Sequence, residues 1–214
     1  MNRAELKANA KAQIKGKIGI LFVISLIIGV ITGVASWILG MIPVVGSLAS
    51  SIIVTPAFAL STTRVYLNLF NGKDPEAKDA FSGFDDFWSA FKVNFLVGLF
   101  TFLWSLLFVI PGIIKSISYS MALYILAENK GKPALECINA SKAMTEGHKM
   151  ELFVLDLSFI GWMLLTVITF GIAGIWTIPY INATMANAYY GLKPAAPVED
   201  VPVVEAPAEE VSAE

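Results

Sequence analysis

Residues 18–41 form a run of 24 residues without a single charged side chain. A helix rises about 1.5 Å per residue, so roughly 20 mostly apolar residues cross a hydrocarbon core of about 30 Å. Five further stretches approach that standard: 44–69, with Arg64 as its only charge, then 93–110, 112–127, 152–170 and 171–190. Pro43, the Pro111-Gly112 dipeptide and Gly171 separate them in pairs. Proline removes a backbone donor and glycine supplies free φ, so each of these positions suits a tight turn. The expected fold is an all-α, polytopic membrane helical bundle over residues 1–193. It has six spans arranged as three helical hairpins, with amphipathic cytoplasmic connecting helices. The fourth segment is short and carries Lys115, Ser116, Ser118, Tyr119 and Ser120. It either crosses as a short span shielded by its neighbours or forms a re-entrant pair with the third; in both cases the chain returns to the same side.

Composition narrows the function classes. Apolar residues make up 56% of the chain and charged residues 15%, against about 25% charged in an ordinary soluble domain. Fifteen Lys and Arg against 17 Asp and Glu leave a formal charge of -2, which gives no general attraction for nucleic acid. One cysteine and one histidine cannot build an internal disulfide or a clustered metal site. No nucleophile has a base at a recognisable spacing, and no glycine motif is placed to cradle phosphate. The reading is therefore of a non-enzymatic protein without cofactor or metal.

Lys and Arg in short loops are retained on the cytoplasmic side. Arg3, Lys7, Lys11, Lys15 and Lys17 precede the first span, and Lys73, Lys78 and Lys92 lie between the second and third. Lys130, Lys132, Lys142 and Lys149 lie between the fourth and fifth, Lys193 follows the sixth, and only Lys115 falls near the opposite ends. A multi-pass protein of a bacterial plasma membrane with both termini cytoplasmic is expected. The first apolar run is too long for a secretory signal and lacks a small-x-small cleavage site.

The connectors are patterned. Arg3, Lys7, Lys11 and Lys15 recur every fourth residue beside Leu6, Ala10 and Ile14, a helix that could lie on anionic inner-leaflet lipid or simply enforce topology. Phe81, Phe84, Phe87, Trp88 and Phe91 mark one face of a short interfacial helix, with Asp85 and Asp86 on its other face. Pro133 is placed to start a further helix and Gly147 to stop it, with Cys137 on it as an inert small residue. Residues 194–214 hold six acids and no base, the composition of a disordered acidic cytoplasmic tail.

Ionisable groups at membrane depth are costly and usually paired. Arg64 and Asp156 lie at similar depths from the inner ends of their spans, so either they pair with each other or both snorkel to the inner headgroups. Asn182, Asn187 and Tyr190 share a face of the sixth span, Lys115 and Tyr119 a face of the fourth. These faces either pack closely or line a polar path. His148 and Lys149 fall in the turn that enters the fifth span and read as interface residues.

Several stretches resemble the bacterial family known as domain of unknown function nine hundred and seventy-five, small integral membrane proteins. The most specific is Gly147-His148-Lys149-Met150-Glu151-Leu152-Phe153-Val154-Leu155-Asp156, with Ile110-Pro111-Gly112-Ile113-Ile114-Lys115 and Tyr119-Ser120-Met121 before it and Pro179-Tyr180-Ile181-Asn182 after it. Met150 stands where that family usually has an aromatic residue. The resemblance implies a multi-span plasma-membrane protein with no assigned activity, and it places Lys115, His148, Lys149 and Asp156 within family motifs. Function is expected through packing, through a second copy or another membrane protein as partner, or through inner-leaflet lipid. The alternative is a small transporter or lipid-handling protein using the polar faces of the second, fourth and sixth spans.

Overall fold

The computed structural model describes residues 2–41 and 54–193, and among these the secondary structure is entirely helical. Helix α1, Arg3–Ile14, is capped by the Asn2 side chain, which accepts from the Ala4 amide at 3.2 Å. Gly16, at φ +80°, turns the chain into α2, Ile18–Gly40. The Pro43 turn and the first part of the second predicted span lie outside the described residues, as does the acidic tail; the remainder of that span is α3, Thr55–Phe70.

Helix α3 is the hub. Side chains on every side of it are buried, among them Ala57, Leu60, Ser61, Arg64, Tyr66 and Leu69, the pattern of a helix surrounded by protein. A 3-10 segment, Ala77–Asp86, lies against it and runs directly into α4, Phe87–Leu107. The close approach is made at Gly83: a Cβ there would stand 2.0 Å from the Ala57 carbonyl oxygen. The Gly83 amide donates to Ser61 Oγ at 2.8 Å. The aromatic stripe thus has Phe81 and Phe84 in the 3-10 segment and Phe87, Trp88 and Phe91 in α4, and Phe58 of α3 packs edge-on to Phe84 at 5.2 Å between centroids.

Helices α4 and α5, Val109–Tyr119, form a hairpin whose turn is Phe108, not Pro111-Gly112 as the dipeptide predicts. Proline is tolerated in a first helical turn, and Pro111 occupies that position. Gly112 serves contact rather than turning, since a Cβ there would lie 2.1 Å from Ser105 Oγ. Helix α6, Ala122–Glu128, continues α5 after a break at Ser120 and Met121. Groups freed at the break are taken up by α7, Ala134–Thr145: Ser141 Oγ donates to the Ser118 carbonyl at 2.8 Å and accepts from the Met121 amide at 3.2 Å. As predicted, Pro133 precedes α7 and Gly147, at φ +81°, follows it. The fifth segment is two helices, α8, Lys149–Leu157, and α9, Ile160–Ile168. A turn through Phe170 and Gly171 leads into α10, Gly174–Leu192.

Among the described residues four helical stretches are long and apolar enough to cross a membrane: Ile18–Ile38, Ala77–Leu107, Val109–Glu128 and Lys149–Ile168. The molecule is two-sided. Its buried core gathers α1, the C-terminal parts of α3 and α10, α6, α7 and the first turns of α2 and α8. At the other end large apolar side chains stand free, including Trp37 at 72% exposure, Phe108 at 71% and Phe170 at 99%.

Helix α1 does not present its apolar stripe to lipid. Leu6, Ala10 and Ile14 are buried against α10, and the lysines reach back over rings of the same unit. Lys7 Nζ lies 4.9 Å from the Phe159 centroid and Lys11 Nζ 5.7 Å from that of Tyr180. An apolar stripe fits a protein groove as well as it fits acyl chains, and here the groove of α10 is adjacent.

Candidate functional site: a polar cleft at the basic end

Arg64, Leu67 and Asn68 of α3, with Asn71 capping its C-terminal end, fall at i, i+3, i+4 and i+7 and share a face by helical periodicity. That face forms one wall of a 470 Å³ cleft. The end of α6, with Ala127, Glu128 and Asn129, and the end of α10, with Tyr190 and Lys193, complete it.

The guanidinium of Arg64 donates to the Ser82 carbonyl and to Asp86 Oδ2, both in the 3-10 segment. Its partner is therefore Asp86 rather than Asp156, which stands on the exposed face of α8. Arg64 and Asp86 are 8% and 17% exposed, so the pair is largely withdrawn from solvent. Arg64 Nε is buried and closes no hydrogen bond.

Across the cleft Glu128 Oε2 accepts from the Tyr189 hydroxyl and from Lys193 Nζ, each at 2.7 Å. Asn71 Nδ2 donates to the Tyr190 hydroxyl at 2.9 Å, and the Tyr190 ring stacks on Phe70 at 4.0 Å. Two further pairs tie the same end together, Lys17 with Asp74 at 2.7 Å and Lys130 with Asp85 at 3.8 Å. The cleft thus has one charge pair, Glu128 with Lys193, closed within its own walls, Arg64 held by Asp86 from behind the wall, and the side-chain amides of Asn68, Asn71 and Asn129 in its lining. Such a lining can hold a polar group through hydrogen bonds. Among the described residues no three His, Cys, Asp or Glu side chains stand together to hold a metal ion.

The family model described as "Protein of unknown function (DUF975)" matches residues 1–118 and 106–196. The chain belongs to that family. No curated protein and no solved structure matches it.

The motif residues of the DUF975 chain are not brought to one place. Of those singled out by sequence, Arg64 and Tyr190 line the polar cleft. Lys115 Nζ lies over the Trp104 ring at 4.6 Å, within the α4–α5 hairpin. Tyr119 is buried beside Phe100, with Lys142 Nζ 5.6 Å from its centroid. His148 Nδ1 is 2.9 Å from Glu151 Oε2 on the exposed first turn of α8, which Lys149 opens. Asn182 Nδ2 donates to the Ile178 carbonyl at 3.0 Å. Asn187 does join two elements: its Nδ2 donates to Gln13 Oε1 at 2.7 Å, fastening α1 to α10.

Asp86, Glu128, Asn71, Tyr189 and Lys193 are the residues that sequence reasoning missed. Only one signal was available for them: each ends or flanks an apolar segment on the basic side.

Proposed function

We propose that the protein is a non-enzymatic, multi-pass protein of a bacterial plasma membrane that acts from a cytoplasmic face, through packing and through contacts with partners and anionic inner-leaflet lipid. Its six apolar segments enter the membrane as three hairpins, 18–41 with 44–69, 93–110 with 112–127, and 152–170 with 171–190, leaving both termini in the cytoplasm. The observation that carries this reading is the division of the molecule. Ion pairs, the polar cleft and nearly every basic residue gather at one end, while the opposite tips are walls of exposed Leu, Ile, Phe and Trp. Basic residues beside apolar segments favour the cytoplasmic side and anionic lipid.

The transporter reading needs a shared polar path, and the candidate residues serve separate partners. Arg64 is held by Asp86, Lys115 by Trp104 and Asn187 by Gln13. Of the clefts farther from the basic end, one is walled mainly by Phe22, Leu26, Val30 and Ile175 and another by Phe91, Phe95, Leu99 and Phe102, while a third carries the hydroxyls of Ser25, Thr32, Ser36 and Thr62 but no charged group.

Crosslinking in native membranes followed by purification, with residues 194–214 present and deleted, tests the proposal. Recovery of a protein partner or of anionic lipid supports it, and loss of a partner on deletion assigns the tail. A purified protein that moves a solute across proteoliposome membranes would overturn it.

A further inference from the structure

Two independent contacts mark how far one arm of each apolar hairpin protrudes from the charged part of the molecule; the other arm of the second hairpin, α4, is longer at 21 residues and begins beside the 3-10 segment. In the third hairpin, Lys7 of α1 stands on Phe159 and Lys11 on Tyr180. Lys11 and Ile14 share a small cleft with Trp162, Trp176 and Thr177. Helix α1, with Arg3, Lys11 and Lys15 exposed, therefore packs along α10, with Lys11 at Tyr180 and Gln13 bonded to Asn187. A helix so charged cannot lie within hydrocarbon. The apex Phe170 is eleven residues beyond Phe159, about 16 Å along a helix.

The second hairpin repeats the measurement. Lys142 of α7 stands on Tyr119, and Ser141 bonds the Ser118 carbonyl. The apex Phe108 is eleven residues before Tyr119, again about 16 Å. Both figures are about half of a hydrocarbon core near 30 Å. Helix α2 supplies a ruler, because its 23 residues reach about 34 Å. Gly171, at the third apex, lines one cleft with Gly29 and Val30, at the middle of α2 and not at its far end.

We infer that the hairpins α4–α5 and α9–α10 are re-entrant: they enter the cytoplasmic leaflet only and end near the bilayer centre, while α2 crosses fully. This rests on the membrane placement proposed above. The apices then meet the surroundings their side chains require, since residues 106–113 carry no polar side chain and Phe170 is almost wholly exposed. Lys115, seven residues from Phe108, lies about 10 Å from the apex, and its ammonium group is held over the Trp104 ring of the same hairpin. Asp156, fourteen residues from Phe170, lies about 21 Å from the apex and outside the hydrocarbon. The partner of this surface is the acyl chain region of the inner leaflet. Two half-depth hairpins add cross-section to that leaflet alone, which gives the molecule the form of a wedge.

Spin labels placed at Phe108→Cys, Phe170→Cys, Trp37→Cys and Lys130→Cys in a Cys137→Ala background, in reconstituted bilayers, test the inference. Expected are maximal oxygen and minimal nickel-chelate accessibility at 108 and 170, an outer-interface value at 37 and an aqueous value at 130. Outer-headgroup values at 108 and 170 would overturn it. Depth does not depend on which side faces the cytoplasm, so a reversed orientation would defeat the proposed function without touching this result. As a second measurement, Phe108→Lys and Phe170→Lys are expected to lower folded yield roughly tenfold, because the new charge sits at the bilayer centre. Unchanged yield in both would contradict half-depth insertion.

Discussion

The guanidinium of Arg64 is held by Asp86, 22 residues along the chain and on a different element. This pair and the Ser82 carbonyl fasten the 3-10 segment to the central helix. Removing one partner leaves the other charge largely buried, a change that costs about 3–5 kcal/mol. Arg64→Ala and Asp86→Ala are each expected to lower the melting temperature of the purified protein sharply. Arg64→Met combined with Asp86→Leu should recover much of the loss, and Asp156→Ala should have little effect.

Gly83 is expected to be intolerant. Gly83→Ala puts a methyl group 2.0 Å from the Ala57 carbonyl oxygen, so the 3-10 segment must move away from α3. Overpacking of this kind costs about 1–3 kcal/mol. Gly98→Ala is the control, because nothing lies within 4 Å of the added Cβ. Thermal unfolding of the two variants side by side checks the difference.

The pairing of Arg64 also marks where sequence reasoning stops. The bounds of α7 were legible because Pro133 and Gly147 act locally. Partner choice was not, because it depends on which helices adjoin. Equal depth suggested Asp156, whereas Asp86 stood among acids that looked like a solvent face and was carried to Arg64 only by the turn after α3. Helix α1 shows the same limit. Leu6, Ala10 and Ile14 foretold a buried stripe, but a stripe alone does not distinguish lipid from α10. The Pro111-Gly112 pair misled because both residues also suit the first turn of a helix packed tightly on its neighbour.

Docking of α1 on α10 gives a proteolysis test. Ala10 is fully buried at that contact, so Ala10→Trp should displace the helix and break the Gln13–Asn187 pair. Trypsin in detergent is expected to cut after Lys7 and Lys11 much faster in this variant than in the parent protein. Partial burial, with the neighbouring charges of Arg3 and Lys11, lowers the Lys7 pKa below that of an ordinary lysine.

Cys137 is buried on α7, and burial pushes its thiol pKa up. The thiolate is the reactive form, so maleimide labelling of the folded protein at pH 7 should be slow. Denaturant should make it fast. Rapid labelling of the folded protein would mean that α7 is not packed on α6.

The most direct test of the account is the side on which the polar end lies. A single cysteine at Lys130→Cys, in the Cys137→Ala background, sits beside Asp85 and close to the polar cleft. With a membrane-impermeant maleimide the account predicts no labelling in intact cells and full labelling after permeabilisation. Labelling in intact cells would place the basic face outside and contradict it.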